Sequence, residues 1–583
     1  MSENSRTGFY IFYQKRFWLG LSLLFSVYYA GLALQQGFSN RYVVQDDARQ
    51  HVFWMQRFID SKLLKDDLAA DYFQSVAPPG YVAVYRLGAL AGINPFLFNK
   101  LLPMALGLLT TAYCFGVAMQ IMSVPAAAFL STLLLNQSLW MVEALVSGTP
   151  RAFSHALLLA FIYYLAREHW LPCLITIALL GLFYPSFMLI ATAVFTLRVV
   201  AWRGRRVVFS RSRKDYLLCA AGISVALLVA AIYQIKSSQF APVITASEGR
   251  VSPEFLRGGR MAFFHDQPLE FWLTGNHSGM ISSSLISPPA LLVGLLLPVL
   301  LYYRKRFPLA QRLTPALGIL PRLVLASVTL FFGAHLFLFR LYLPPRYTIH
   351  SFRIVLSISA AIVLVSFAGA ILDRAEGARP SFGRRLPAIA MLGLIMAAII
   401  LSPAFADEFP KTRYITGEQP ELYEFFSRQP KDSLIASLGT EADNLPSFAA
   451  RSVLVSRESA IPFHKAYYDQ LSQRAADLIR AQYTPDLGEL KSFIQKYGVD
   501  FFLLDEDSFT PEYVQKNRWC RILRAAQSDA LAKLNEGGGA ALAHLADSCK
   551  VFHAHDLIVI DARCVESSEQ RGTLPINLFS GSK

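Results

Sequence analysis

Long apolar runs alternate with short polar segments over the first 404 residues of the chain. A helix needs roughly 17–25 predominantly apolar residues to cross the hydrocarbon core of a bilayer. The runs predict a polytopic α-helical membrane domain with about eleven spans. The predicted spans are 17–34, 101–120, 125–144, 153–167, 170–183, 185–200, 216–235, 288–303, 320–339, 354–372 and 386–403.

Beyond residue 404 the pattern changes to that of a soluble α/β domain. Short apolar runs between polar residues predict buried strands, and apolar positions three and four apart predict amphipathic helices. The strands are expected at 433–438, 452–456, 500–505 and 557–561, and the helices at 466–482 and 487–497. The chain is therefore expected to form a transmembrane helical domain, 1–404, and a C-terminal soluble domain, 405–583.

Composition and charge agree with a membrane protein. Of the 583 residues, 54% are hydrophobic and only 16% are charged, whereas soluble domains have about 25% charged residues. The net charge of +14 comes largely from basic residues between apolar runs and not from one soluble basic face, so no nucleic-acid partner is expected.

The positions of lysine and arginine predict the orientation of the helices. Cytoplasmic loops carry an excess of both residues, and three segments hold this excess, namely 198–214, 304–322 and 374–385. The N-terminus is then cytoplasmic. An odd number of spans places the tail on the extracytoplasmic side, together with two large outer loops, 35–100 and 236–287.

Three cysteines of the tail are candidates for a disulfide. Disulfides persist in oxidising compartments outside the cytoplasm, so one bond is expected if the tail is extracytoplasmic. The sequence does not decide the pairing among Cys520, Cys549 and Cys564.

The first outer loop contains two adjacent acids, Asp46 and Asp47, before an apolar stripe over 52–63. The stripe predicts an amphipathic helix lying along the membrane interface. One interpretation of the acids is helix capping, because carboxylates accept the free donors of a first turn. The other interpretation is that one of the acids is a general base at the lipid–water boundary. Capping accounts for only one of the two acids, because a cap needs only one. Arg49 and His51 follow in the same segment and are candidate substrate-binding residues.

Arginines recur in the outer loops that should be poor in positive charge. Arg151 opens the fourth predicted span, and Arg346, His350 and Arg353 lie between the ninth and tenth. Arginine presents a planar fork of donors that matches phosphate oxygens, and a helix would bring Arg346 and Arg353 to one face. The alternative is that these arginines anchor the spans to lipid headgroups.

This arrangement resembles the GT-C superfamily of integral membrane glycosyltransferases. The features that carry the resemblance are a first span, a long outer loop with an Asp pair, short hairpin spans and a soluble outer tail, over about residues 1–405. The resemblance implies an enzyme of the cytoplasmic (inner) membrane that moves a sugar from a polyprenyl-phosphate carrier to an acceptor hydroxyl. It also implies an acidic catalytic base in the first outer loop, which is Asp46 or Asp47. The expected partners are the lipid bilayer, a polyprenyl-phosphate-linked sugar and an acceptor of unknown identity.

Other polar groups leave alternatives open. The segment 265–278, with Trp272, is either a cover for a sugar site or an ordinary surface loop. The sequence has no metal-binding motif such as HExxH, although a divalent cation at the Asp pair is conceivable. Two further functions remain open, namely a non-enzymatic scaffold whose tail binds an envelope polymer and a lipid-carrier transporter. Few ionisable groups fall within the predicted spans, which disfavours the transporter.

Overall fold

The computed structural model describes residues 14–203, 206–236, 239–281, 283–376, 382–536 and 539–568. In these ranges six helices are long and apolar enough to cross a membrane, which agrees with a multi-pass membrane protein. All eleven predicted segments are helical. A count of eleven spans is not confirmed, because the other five helical segments are shorter than about 17 residues. The six long helices are Lys15–Gly37, Pro95–Ile121, Arg213–Tyr233, Pro315–Leu336, Pro344–Ala375 and Arg385–Phe405.

The α-helices are numbered here in chain order. The helical domain contains α1 (Lys15–Gly37), α2 (Ala48–His51), α3 (Leu68–Val76), α4 (Pro79–Leu90), α5 (Pro95–Ile121), α6 (Pro125–Trp140), α7 (Ser154–Ala166), α8 (Trp170–Phe183), α9 (Pro185–Thr196), α10 (Arg213–Lys236), α11 (Ala246–Val251), α12 (Leu297–Tyr302), α13 (Ile319–Leu336), α14 (Ile349–Glu376) and α15 (Phe382–Leu401). The tail contains α16 (Pro420–Ser427), α17 (Leu445–Phe448), α18 (Lys465–Tyr483), α19 (Leu487–Tyr497), α20 (Pro511–Lys516), α21 (Arg518–Ile522), α22 (Arg524–Asn535), α23 (Ala541–Cys549) and α24 (Ala562–Ser567).

The strands form one five-stranded sheet in the tail and two short pairs. They are β1 (Val43–Gln45), β2 (Val200–Arg203), β3 (Arg206–Phe209), β4 (Tyr414–Thr416), β5 (Leu434–Ala436), β6 (Ser452–Val453), β7 (Phe501–Asp505), β8 (Lys550–Ala554) and β9 (Leu557–Asp561). The tail sheet has the order β6-β5-β7-β9-β8; its first three strands are parallel, and β9 runs antiparallel to β7 and β8. The predicted α/β tail is confirmed.

Strand β1 ties the first outer loop to the beginning of the tail. It pairs antiparallel with β4, and Val44 faces Ile415 in the register. The backbone N–H of Asp46 then donates to the carbonyl of Arg413 at 3.1 Å. The Asp pair consequently sits at the junction of the helical and soluble domains.

The prediction of an interfacial amphipathic helix over 52–63 is wrong. Its first part is the 3₁₀ turn Phe53–Phe58, in which Trp54 and Met55 are fully buried. The tail covers this turn, and the side-chain amide of Gln56 donates to the carbonyl of Pro446 at 2.9 Å. Protein buries Val52 and Met55 of the apolar stripe, whereas Ile59 is exposed, so the stripe does not form one continuous apolar face for lipid.

The second outer loop also docks on the tail. Its backbone pairs with the segment before α18, where the N–H of Ile244 donates to Phe463 and that of Lys465 to Pro242, each at 2.9 Å. Glu254 is fully buried, and both of its carboxylate oxygens accept from Arg457, at 2.6 and 3.0 Å. The loop therefore forms a structural joint between the domains, and the prediction that it covers a sugar site stays a prediction.

Candidate functional site

A polar turn before α7 aims Arg151 toward the first outer loop. Gly148 has a left-handed backbone with φ of +59°, and a Cβ there would lie 2.5 Å from Nδ2 of Asn99, so glycine is required. Asn99 donates to the hydroxyl oxygen of Tyr85 at 2.9 Å, and this hydroxyl donates to the carbonyl of Gly148 at 2.8 Å. The 3₁₀ turn Pro150–Phe153 then begins at a proline and carries Arg151.

Asp47 and Arg151 form an ion pair although they are 104 residues apart. Asp47 directly precedes α2, but its side chain makes no capping hydrogen bond, so the capping interpretation is wrong for this residue. Arg151 also reaches Glu143 at 3.3 Å, and Glu143 contacts Arg413 at 3.4 Å. The side chains of Asp47 and Glu143 are each 23% exposed and that of Arg151 is 14% exposed, so the group is largely buried but still reachable from solvent.

Arg346 completes this group, which we call the Asp47 cluster (Asp47, Glu143, Arg151 and Arg346). It is half-buried in the 3₁₀ turn Pro344–Tyr347, within electrostatic range of Asp47 and Glu143. In the described part of the chain its guanidinium has neither a hydrogen bond nor a close ion pair. A half-buried guanidinium without a partner is a candidate anion site, because five donors are left for a ligand.

Asp46 turns the opposite way from Asp47. It pairs with Arg49, whose guanidinium also contacts Glu458 of the tail at 3.1 Å and the side-chain oxygen of Asn444 at 3.1 Å. Arg260, from the second outer loop, contacts Glu458 at 2.9 Å. We call these residues the Glu458 cluster (Asp46, Arg49, Arg260 and Glu458); its charges are paired with one another across the domain junction.

The charges of the Glu458 cluster stabilise the ionised form of its central acid. Burial alone would raise the pKa of Glu458, but the neighbouring charges of Arg260 and Arg49 bring its pKa below the usual value. The predicted substrate-binding residue Arg49 is thus held by protein carboxylates and an amide oxygen. Its geometry is that of a structural link between the first outer loop and the tail.

His51 lies between the two clusters. Burial and the positive charge of Arg151 lower the pKa of His51 to about 4, with a smaller contribution from Arg346. The ring is therefore neutral near pH 7. It can donate one hydrogen bond and accept another, but it cannot bind a phosphate as a cation. The hydroxyl of Tyr81 donates to its backbone carbonyl at 3.2 Å and fixes the end of α2.

His350 and Arg353 lie deeper than the sequence predicted. Helix α14 begins at Ile349, five residues before the predicted span, so both residues lie within a membrane helix. The structure adds both residues to the few ionisable groups expected within the spans. Arg346 precedes the helix, so the expected continuous helical face with Arg353 is not formed.

These buried groups form a polar layer beneath the Asp47 cluster. Arg353 is 1% exposed and donates to the carbonyl and hydroxyl of Ser138 at 2.9 and 2.6 Å. The rings of His155 and His350 are 5.1 Å apart, and Nε2 of His155 and Nδ1 of His350 lack hydrogen-bond partners. Buried polar groups normally find partners, so this layer contains acceptor or donor capacity that the protein leaves unused.

The sequence identified Asp47, Arg151 and Arg346 but not the residues that hold them. The structure adds Glu143, at the end of the third predicted span, to the cluster. Asn99 and Tyr85 were not singled out, although an asparagine within an apolar run is a signal for a buried hydrogen bond. No group of three or more His, Cys, Asp or Glu side chains suited to a metal ion occurs in the described ranges.

A helical membrane domain, a soluble α/β tail and a charged site where they meet define a polytopic membrane protein with two domains. No known protein family matches the chain by its sequence profile, and no curated protein matches it by sequence. Solved structures do match. The crystal structure of the Archaeoglobus fulgidus oligosaccharyltransferase, tethered with an acceptor peptide containing the NVT sequon, has a TM-score of 0.51 and 13% identity, and the match covers 90% of this chain and 72% of that one.

Two further structures are similar over most of this chain. ArnT from Cupriavidus metallidurans, bound to undecaprenyl phosphate, has a TM-score of 0.46 and 14% identity over 95% of this chain and 99% of that one. The mycobacterial arabinofuranosyltransferase AftD has a TM-score of 0.47 and 12% identity over 94% of this chain and 40% of that one. The likeness to the archaeal oligosaccharyltransferase confirms the GT-C fold that the sequence predicted.

Proposed function

We propose that the chain is a membrane glycosyltransferase that moves a sugar from a polyprenyl-phosphate carrier to an acceptor hydroxyl on the extracytoplasmic side. The fold shared with the archaeal oligosaccharyltransferase makes glycosyl transfer the reaction class to consider, but a fold alone does not establish a function. The observation that carries the proposal is the Asp47 cluster. It brings a carboxylate, its arginine partner and an unpaired arginine together at the domain junction.

In the proposed reaction the bond between the anomeric carbon and the carrier phosphate breaks, and a bond forms between that carbon and the acceptor oxygen. Asp47 accepts the proton of the acceptor hydroxyl as general base. The carrier leaves as polyprenyl phosphate, and its developing charge is stabilised by Arg346 and Arg151. Asp46 is not proposed as the base, because its partner Arg49 is itself held by Glu458 and Asn444, and both arginines of the Glu458 cluster are already paired with protein carboxylates.

The pair between Asp47 and Arg151 then represents the state without substrate. A carrier phosphate offers Arg151 a second acceptor with more oxygens than one carboxylate, so binding of the carrier would draw the arginine away from Asp47. This exchange would free the base at the moment the donor is in place. The unused ring nitrogens of His155 and His350 are proposed to hydrogen-bond the head group of the carrier.

The extracytoplasmic position of the tail has support of its own. Cys549 and Cys564 form a disulfide with a Cα–Cα distance of 5.5 Å, which resolves the pairing that the sequence left open. Disulfides persist mainly outside the reducing cytoplasm. A membrane-impermeant maleimide should label both thiols in intact spheroplasts after mild reduction, and protection of both would place the tail in the cytoplasm.

Carrier binding tests the proposal most directly. The purified full chain is heated with a panel of polyprenyl-phosphate sugars, since a ligand of the native state raises the apparent melting temperature. At least one sugar should do so. Arg346→Gln should weaken binding of that compound about tenfold or more, because a charge-assisted contact contributes at least 1.5 kcal/mol.

Arg340→Gln is the matched control, because Arg340 is an exposed arginine six positions earlier that lies outside the Asp47 cluster. This variant should bind the carrier as the unaltered chain does. Stabilisation by none of the carriers, or equal binding by Arg346→Gln and the unaltered chain, would contradict the proposal.

A further inference from the structure

A large basic cleft lies beside the Glu458 cluster. Its volume is about 1030 Å³, at the upper end of the range for small-molecule sites, which is roughly 300–1,000 Å³. No acidic residue lines it. Its cationic lining, called the arginine cleft below, consists of Arg257, Arg260, Arg457, Arg518, Arg521 and Arg524.

Two of these arginines are neutralised by the protein and four are not. Arg260 pairs with Glu458 and Arg457 with the buried Glu254. In the described ranges the other four guanidinium groups have no hydrogen bond or ion pair. Four cations facing one cavity repel each other, and an anionic ligand would relieve that repulsion.

Local structure brings the two walls of the cleft together. On the loop side, Gly258 has φ of +89°, and a Cβ on Gly259 would lie 2.2 Å from the carbonyl of Pro253. Only this tight glycine turn allows Arg257 and Arg260 to flank the cavity. On the tail side, Arg457 stacks on Trp519 with 4.8 Å from its guanidinium carbon to the ring centre, at the base of α21.

The cleft is connected to the candidate catalytic residues by a short chain of ion pairs. Arg260 lines the cavity and contacts Glu458, which contacts Arg49, which in turn contacts Asp46. Asp47 is the next residue. A ligand that fills the cleft therefore contacts Arg260, which is linked through these ion pairs to the residue next to the proposed base.

We propose that the arginine cleft binds an anionic saccharide, bearing phosphate, sulfate or carboxylate groups, as part of the acceptor. This rests on the proposed function and specifies its acceptor class. Guanidinium groups match oxyanions through paired donors. The lining also includes Leu256, Ile522 and Leu531, which suit the apolar faces of sugar rings. A bilayer surface fits less well, because the cavity is concave and its lining comes from the second outer loop and the tail.

The test is binding of a sulfated hexasaccharide to the detergent-solubilised full chain, measured by fluorescence anisotropy. The triple variant Arg518→Gln, Arg521→Gln, Arg524→Gln should weaken this binding by about 10³-fold, since each of the three lost charge-assisted contacts contributes about tenfold. A neutral hexasaccharide of the same length should bind neither protein. The matched control removes three other exposed basic groups of the tail, in Arg480→Gln, Lys550→Gln, Arg563→Gln, and should bind as the unaltered chain does.

Equal affinity of the two triple variants for the sulfated hexasaccharide would overturn the inference. Binding of phosphatidylglycerol vesicles in preference to the saccharide would also overturn it and would assign the cleft to a membrane surface. Asp47→Asn separates this inference from the proposed function, because it should bind the saccharide normally. If Asp47→Asn retains full transferase activity, the proposed function fails while the cleft assignment stands.

Discussion

The Asp47 cluster and the Glu458 cluster contain the same kinds of residues, two acids and two arginines each, but their charges are used differently. In the Glu458 cluster both arginines contact Glu458, and Arg49 also contacts Asp46 and Asn444. In the Asp47 cluster Arg346 has no such partner in the described chain. The two clusters are separated by one peptide bond in the first outer loop.

The difference indicates which cluster has capacity for a ligand. Charges that pair across a domain junction stabilise that junction, and breaking one pair leaves a charge without compensation. A cluster with an unused guanidinium can accept an oxyanion without first losing a protein contact. We therefore expect substitutions in the Glu458 cluster to reduce stability and substitutions in the Asp47 cluster to reduce activity.

The largest effect is expected on sugar transfer when Asp47 is replaced. Asp47→Asn should reduce sugar transfer by about 10³-fold, since general-base catalysis contributes typically 10²–10⁴-fold, without changing the melting temperature by more than a few degrees. Transfer is measured as release of labelled sugar from polyprenyl phosphate in membranes that contain the variant.

Asp46→Asn is the matched control for this prediction. It removes the same charge one residue away, and it should lower stability while retaining most of the activity. The comparison between the clusters breaks down if Asp46→Asn loses transfer activity and Asp47→Asn retains it.

A smaller effect, on stability, is expected at Glu458. Glu458→Gln leaves Arg49 and Arg260 without their shared carboxylate, whose side chain is 12% exposed, and should cost about 3 kcal/mol of unfolding free energy. Thermal unfolding of the purified chain measures this loss. The exposed Glu421, in the first turn of α16, provides the control Glu421→Gln, for which no shift beyond about 0.5 kcal/mol is expected.

The smallest effect should appear in the pH dependence of stability. The folded state holds the pKa of His51 at about 4, whereas the unfolded chain has the usual value. Between these values the unfolded state binds more protons, so the unfolding free energy falls as pH drops through this window. His51→Gln should therefore lose less stability than the unaltered chain between about pH 7 and pH 5.

His553→Gln is the control for this measurement, because His553 is an exposed histidine of the tail. The difference in acid sensitivity between His51→Gln and this control isolates the contribution of His51. Equal acid sensitivity of His51→Gln and the unaltered chain would show that the charges of the Asp47 cluster do not act on His51 as described.

Periodic elements were predicted well from the sequence. The strand over 557–561 and the helix over 487–497 have the predicted bounds. In each segment the spacing of the apolar residues fits only one type of element that turns them all toward a core. Helix α14 was predicted too short at its N-terminal end. His350 and Arg353 look like loop residues by hydropathy, and only their contacts within the bundle allow them to be buried.

The sequence predicted which residues belong to the site but not which of them pair with one another. Asp47 pairs with Arg151 across 104 residues and Arg49 pairs with Glu458 across 409 residues, and the pairing of β1 with β4 joins residues more than 350 positions apart. Three-residue strands have too weak a local signal to be recognised. The buried Glu254 was missed for a related reason, since a lone acid in a polar loop looks solvated until its arginine partner is known.

The pairing of β1 with β4 also sets the order of events during biosynthesis. Strand β1 leaves the ribosome soon after the first membrane helix, but its partner β4 follows α15, the final long helix of the bundle. The loop that contains Asp47 therefore lacks its backbone partner until every membrane helix has been synthesised. Nascent chains arrested before residue 414 would hold an incomplete Asp47 cluster, and the proposed transferase would acquire activity only after β4 has been synthesised and has paired with β1.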